Sequence, residues 1–234
     1  MGEPFTVVFE SRLPHGVCVG VALPEPGGET RAGLERLHPR EAAHAWEMPP
    51  FRRARWVGGR LALARALAGM GVEDAAVLVA EGGAPDLPPG CVGSVSHKRA
   101  LAVGLAAPDE GCRVGVDVEE RRPVHPRLAQ RVLTADERRT LSSAAPGSPA
   151  ADLLLRFSLK EALYKALHPW VRRRVGFAEV EVEPRPGGQA DVRLLLESLE
   201  ADLVAEAGWH LLAGHLVTTA RLSSRDSSSP RARR

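Results

Sequence analysis

Lysine is nearly missing from this chain. Only Lys98, Lys160 and Lys165 occur among 31 basic residues, and all the others are arginine. Aromatic residues are also scarce, at 4% with a single tyrosine, so any core must be aliphatic, and the 44% apolar content is enough to build one. The three cysteines, Cys18, Cys91 and Cys112, are odd in number, far apart and without a CxxC or Cys-His pattern. That excludes a disulfide framework or zinc site and reads as reduced packing thiols in a cytoplasmic protein. No apolar run reaches membrane-spanning length, and the first residues lack the basic and apolar regions of a secretion signal, so no membrane association is expected. A net charge of +2 on 26% charged residues is not the profile of a general nucleic-acid binder.

Against that background, the placement of the lysines stands out. Phe157-Ser158-Leu159-Lys160-Glu161-Ala162-Leu163-Tyr164-Lys165-Ala166-Leu167 holds two of the three within eleven residues. Its apolar residues recur at helical spacing, and Glu161 and Lys165 fall on one side at i,i+4. A lysine offers a compact charge that can rest against a phosphate, which a planar guanidinium does less well. The plainer reading is that Ser158 and Glu161 form a capping box at a helix start.

Upstream lies Gly115-Val116-Asp117-Val118-Glu119. Val114, Val116 and Val118 alternate with Gly115, Asp117 and Glu119, which predicts a strand with both carboxylates on one face. Like charges so placed repel unless a cation lies between them, and hard oxygen ligands suit Mg²⁺ or Mn²⁺. The alternative is an edge strand with a solvated acidic face.

Two further stretches point to anions. Arg52, Arg53 and Arg55 open a predicted helix over about 52–69 that continues through Arg60, and cations at a helix start oppose its dipole unless an anion binds there. Gly93-Ser94-Val95-Ser96-His97-Lys98 offers a hydroxyl, an imidazole and a lysine in consecutive positions.

The remaining elements are short. Strands are predicted at 5–9, 17–23, 75–80 and 101–107, and a helix at 31–46 separated from the next by Met48-Pro49-Pro50. A capping box at Thr134-Ala135-Asp136-Glu137 starts another helix, Ser142–Ala150 reads as a loop, Asp152 opens the long helix, and Pro169 ends it. Strands at 178–183, 190–196 and 209–222 close the chain, and the Ser/Arg/Pro tail over 223–234 is expected to be disordered. Periodicity alone gives a mixed α/β domain.

The Gly-Val-Asp-Val-Glu strand followed by Phe-Ser-x-Lys-Glu-Ala-x-x-Lys-Ala resembles the paired signature of the 4′-phosphopantetheinyl transferases. The likeness is to the Sfp-like branch and its enterobactin-synthetase-component-D-like members. Leu37-His38-Pro39-Arg40-Glu41, the segment 52–60 and 93–97 agree, in order along the chain. The resemblance implies an α+β fold of two similar lobes with the active site between them, here an N-terminal lobe over 1–112 and a C-terminal lobe over 113–222. It implies transfer of 4′-phosphopantetheine from coenzyme A to a serine of an apo acyl, peptidyl or aryl carrier protein, with release of 3′,5′-ADP. Polyketide, nonribosomal peptide or siderophore synthesis would be served, by a monomer.

The resemblance also assigns roles. Asp117, Glu119 and Glu161 would hold Mg²⁺. Glu161 would accept the serine proton, directly or through water, and Lys165 would steady the leaving pyrophosphate. Arg55, Arg60, Ser96 and His97 would bind coenzyme A, with Lys98 and Lys160 as added ligand contacts. The rival function is a Mg²⁺-dependent nucleotide pyrophosphate hydrolase, which would need no protein acceptor.

Overall fold

The structure, a computed structural model, describes residues 4–25, 28–80, 83–122, 124–125, 127–141, 149–196 and 202–225. The chain divides into two compact units, one of residues 1–109 with 116–118, the other of 110–115 with 119–234.

In the first unit β1 (Val7–Leu13) and β2 (Gly16–Ala22) form an antiparallel hairpin. Three helices follow: α1 (Arg31–Leu34), α2 (Pro39–Trp46) and α3 (Pro50–Ala68). After them come the short pair β3 (Leu78–Val79) and β4 (Pro85–Asp86), then β5 (Cys91–Lys98) and β6 (Leu101–Pro108). The sheet order is β1-β2-β6-β5, antiparallel throughout. Helix α3 lies on β2, β5 and β6, and its Val57, Leu63 and Leu67 meet Val19, Val21 and Ala102 in an aliphatic core. Gly104 on β6 permits the approach, since a Cβ there would stand 2.4 Å from the backbone nitrogen of Leu63.

The break at Pro49-Pro50 has a structural partner. Pro50 takes the first position of α3, where a missing N–H costs nothing. Arg53 reaches back to the carbonyls of Ala45, Trp46 and Met48 and stacks over the Trp46 ring at 4.6 Å, closing the end of α2. Helix α2 begins with a capping box between His38 and Glu41. The strand expected at 75–80 contracts to the two residues of β3, because only Val77 of that run enters the core while Val79 is exposed.

The strand β7 (Cys112–Glu120) leads into α4 (Leu128–Val132), α5 (Ala135–Thr140) and α6 (Pro149–Val171). Then come β8 (Val180–Pro184), β9 (Gln189–Leu194), β10 (Leu203–Leu212) and β11 (His215–Ser224). The order of this sheet is β7-β11-β10-β9-β8. Helix α6 packs on it through Leu159, Leu163 and Leu167, against Val180, Val182, Ala220 and Leu222. Both units are therefore a helix on a mainly antiparallel sheet, an α+β construction.

Several expectations shift here. Helix α6 starts well before Ser158, so the Ser158–Glu161 capping box does not exist; the fully buried Ser158 hydroxyl instead meets Thr218 Oγ1 at 2.9 Å on β11. The helix opens three residues before Asp152, which stands in its first turn, and Pro169 is absorbed in its final turn rather than ending it. The predicted strand 209–222 is a hairpin of β10 and β11, turning at Ala213 (φ 46°) and Gly214 (φ 78°). Of the tail, Ser223 and Ser224 belong to β11, and 226–234 lie outside the described residues, as do 142–148 of the expected loop. All three cysteines are free thiols, and burial pushes Cys18 up to about 12. Among the described residues no helix is long and apolar enough to cross a membrane.

Candidate active site

The acidic strand is not a solvated face. Every residue of β7 from Val114 to Glu119 is buried, with Asp117 at 6% and Glu119 at 8% exposure. Burying carboxylates is costly unless partners replace water. Asp117 Oδ1 accepts a hydrogen bond from Ser96 Oγ at 2.9 Å, and Ser94 Oγ accepts from the backbone N–H of Val116 at 3.2 Å, so β5 grips this part of β7.

Gly115 does the work on the other side. A Cβ built there would fall 1.9 Å from the carbonyl oxygen of Ala162 and 3.0 Å from the nitrogen of Ala166, so backbone of β7 lies directly on backbone of α6. Ala162 immediately follows Glu161. The glycine thus brings the acidic strand close to the helix at the turn that carries the third carboxylate. Glu161 and Lys165 are both half-buried on α6, one turn apart. A cavity of about 340 Å³ opens beside Glu161, lined by Lys160, Glu161 and Tyr164 of α6 and by Arg174, Val175 and Phe177.

Residues 113–220 match the family described as the 4′-phosphopantetheinyl transferase superfamily, and residues 40–107 match the 4′-phosphopantetheinyl transferase N-terminal domain. The chain is 33% identical over 166 residues to the 4′-phosphopantetheinyl transferase Svp of Streptomyces mobaraensis, covering 68% of this chain and 66% of that protein. It is 30% identical over 176 residues to the 4′-phosphopantetheinyl transferase Npt of Nocardia iowensis, covering 75% and 76%. The chain belongs to the 4′-phosphopantetheinyl transferase superfamily.

Among solved structures, the holo-[acyl-carrier-protein] synthase of Thermotoga maritima is similar at 24% identity and a TM-score of 0.38, over 48% of this chain and 63% of that one, a level that carries no weight for function.

Within this transferase chain the expected ligand residues separate into those that face solvent and those that do not. Arg55 and His97 are exposed and Lys98 is half-buried, so all three are accessible to an anion. Ser96 precedes His97 on β5 and leaves the opposite face of the strand. Its hydroxyl proton is directed to Asp117, which corrects the expectation that Ser96 donates to coenzyme A: it ties β5 to the acidic strand.

Arg60 is a second correction. It is 3% exposed, its Nη2 donates to the carbonyl of Leu78 at 3.2 Å, and its guanidinium stacks 4.8 Å from the Trp56 ring. Burial lowers its pKa, opposed by the neighbouring Glu41 carboxylate, which burial in turn raises. Arg60 belongs to the interior of the first unit rather than to a ligand surface.

Lys160 is the third. Its side chain is 1% exposed, and its ammonium donates to Glu137 Oε2 at 2.6 Å, to the Val132 carbonyl at 2.8 Å and to the Phe177 carbonyl at 2.9 Å. Three donors meet three acceptors, so nothing remains to offer a ligand. Burial lowers its pKa, with the Glu137 bond opposing. Glu137, Arg156 and Asp152, with which α6 continues this buried charge network, were not anticipated as a group; the lysine scarcity and the Thr134 to Glu137 capping box were the only signals.

For a metal, the donor chemistry fits: Asp117, Glu119 and Glu161 are all hard carboxylates, and Glu119 and Glu161 belong to the one unit in which β7 lies on α6 at Gly115. Among the described residues no three His, Cys, Asp or Glu side chains already converge into a metal-holding group.

Proposed function

We propose that this chain transfers the 4′-phosphopantetheine arm of coenzyme A to a serine hydroxyl of an apo carrier protein in a Mg²⁺-dependent reaction that releases 3′,5′-ADP. The observation that carries the proposal is the backbone contact of Gly115 with Ala162, which lays the strand that leads to the buried Glu119 against the helix turn of Glu161.

Asp117, Glu119 and Glu161 are the residues that would hold Mg²⁺, which when bound neutralises charge developing on the pyrophosphate. Glu161, half-buried at the edge of the cavity, accepts the proton of the attacking serine, a contribution typically worth about 10²–10⁴ in rate. Lys165, one turn further along α6, faces the departing 3′,5′-ADP with a compact positive charge. The exposed Arg55 and His97, with Lys98, hold the nucleotide end of coenzyme A. The cavity beside Glu161, with Tyr164, Val175 and Phe177 in its walls, gives the transferred arm apolar and aromatic side chains to lie against. No protein nucleophile is needed, because displacement at phosphorus rests on positioning and charge stabilisation.

The test is a variant series assayed with coenzyme A, Mg²⁺ and an apo carrier protein. Asp117→Ala and Glu161→Ala abolish transfer with circular dichroism unchanged, and near-full turnover in either would sink the metal assignment. His97→Ala raises the KM for coenzyme A with little change in kcat; a lower kcat at constant KM would refute its binding role. Metal-dependent breakdown of coenzyme A without any protein acceptor would instead identify a pyrophosphate hydrolase.

A further inference from the structure

We infer that Glu137 and Lys160 are positioning residues that fix the rotation of α6 so that Glu161 is presented to the metal and the arm-binding cavity keeps its shape. The inference rests on the transferase reading above and extends it to two residues whose side-chain polar atoms are all engaged within the protein.

Lys160 directly precedes Glu161. Its ammonium is bound from three directions: by Val132 at the end of α4, by Glu137 on α5, and by Phe177 in the segment that walls the cavity. A helix held by one such side chain cannot turn about its axis without breaking all three bonds. Glu137 anchors the other half of the contact. Its Oε2 accepts from Lys160 and from the Thr134 backbone N–H at 2.8 Å, and its Oε1 accepts from the Val182 backbone N–H at 2.9 Å on β8. The carboxylate is 4% exposed and is joined to three elements at once.

One turn back along α6, Arg156 repeats the pattern. It bonds the Val182 carbonyl, meets Asp152 Oδ2 at 2.9 Å and lies 3.9 Å from Glu137 Oε1. Two consecutive turns of the helix are therefore clamped on the face that leads to Glu161. Apolar contacts alone would leave more freedom there, because leucines slide on an aliphatic surface while directional bonds do not.

The experiment compares the full-length wild-type chain with Glu137→Gln, Lys160→Met and Glu137→Asp. Mn²⁺ binding is followed by loss of the free-ion electron paramagnetic resonance signal, alongside steady-state transfer kinetics and urea midpoints. Glu137→Asp keeps the charge and shortens the reach by one methylene, so it folds even if the other two do not. The expected result is Mn²⁺ binding weakened on the order of tenfold in Glu137→Gln and Lys160→Met, with a smaller loss in Glu137→Asp. A fall in kcat accompanies it, while KM for coenzyme A changes by less than about twofold. A purely structural role lowers the urea midpoint and leaves Mn²⁺ affinity and kcat of the folded protein untouched, and that outcome overturns the inference. If the wild-type chain itself binds no Mn²⁺, the metal reading fails and the positioning role falls with it, a result distinct from equal binding by wild type and variants.

Discussion

Replacing Gly115 with alanine is the most direct perturbation of the contact between β7 and α6. The added Cβ would sit 1.9 Å from Ala162 O, 2.9 Å from Ala162 C and 3.0 Å from Ala166 N, all backbone atoms that no rotamer change can move aside. Overpacking in a core usually costs 1–3 kcal/mol, and a clash with backbone belongs at the upper end, about 3 kcal/mol. For a chain of this size that corresponds to a fall in Tm of about 6–12 °C. Gly59→Ala is the control. Its Cβ would meet only Val95 side-chain atoms at 3.8 and 3.9 Å, and within α3 alanine is favoured over glycine by about 0.5–1 kcal/mol, so Tm holds or rises. Thermal unfolding by circular dichroism reads both. Transfer activity reads the second consequence: any shift that relieves the clash moves β7, which carries Glu119, off the helix that carries Glu161. A Gly115→Ala protein with wild-type Tm and wild-type turnover would refute the claim that this close approach builds the site.

Other consequences can be checked separately. Ser158→Ala removes a fully buried bond to Thr218 and lowers stability by about 1 kcal/mol in urea titrations, whereas an unchanged midpoint would show the pair to be idle. Burial lowers the pKa of His210 below 6.5, so the unfolded chain binds more protons and stability is lost as the pH falls below that value. A His210→Gln variant should therefore show a flatter urea midpoint than wild type between pH 7 and 5. With its thiol raised to about 12 and fully buried, Cys18 resists iodoacetamide at neutral pH in the native protein and reacts once urea unfolds it.

How much of this was legible beforehand depended on where the information lay. The acidic strand and the Lys-Glu helix were readable because alternation and helical spacing are local, and both elements formed where expected. Thr134 and Glu137 were readable as a capping box for the same reason. What the local pattern could not carry was the destination of a side chain. Arg60 read as a ligand residue through the family resemblance and Lys160 through its place on the Lys-Glu helix, yet tertiary packing drew both inside, one beside Glu41 and Trp56 and the other onto Glu137. Ser158 looked like a cap because Glu161 follows it at the capping-box spacing, a pattern that also arises by chance inside a helix. The first half of β10 was overlooked because its inward residues are small: Ala205 and Ala207 have weak strand preference, and the turn at Ala213-Gly214 has alanine where the usual hairpin signal is Asn-Gly or Asp-Gly.

The central claim is that this chain moves a phosphopantetheine arm onto a carrier protein with metal assistance. Intact-protein mass spectrometry of an apo carrier incubated with the chain, coenzyme A and Mg²⁺, beside a parallel EDTA sample, tests it most directly. The account predicts a mass gain of one phosphopantetheine group that vanishes with EDTA and with Glu161→Ala. An unmodified carrier across several carrier types, or a gain indifferent to EDTA, would contradict it.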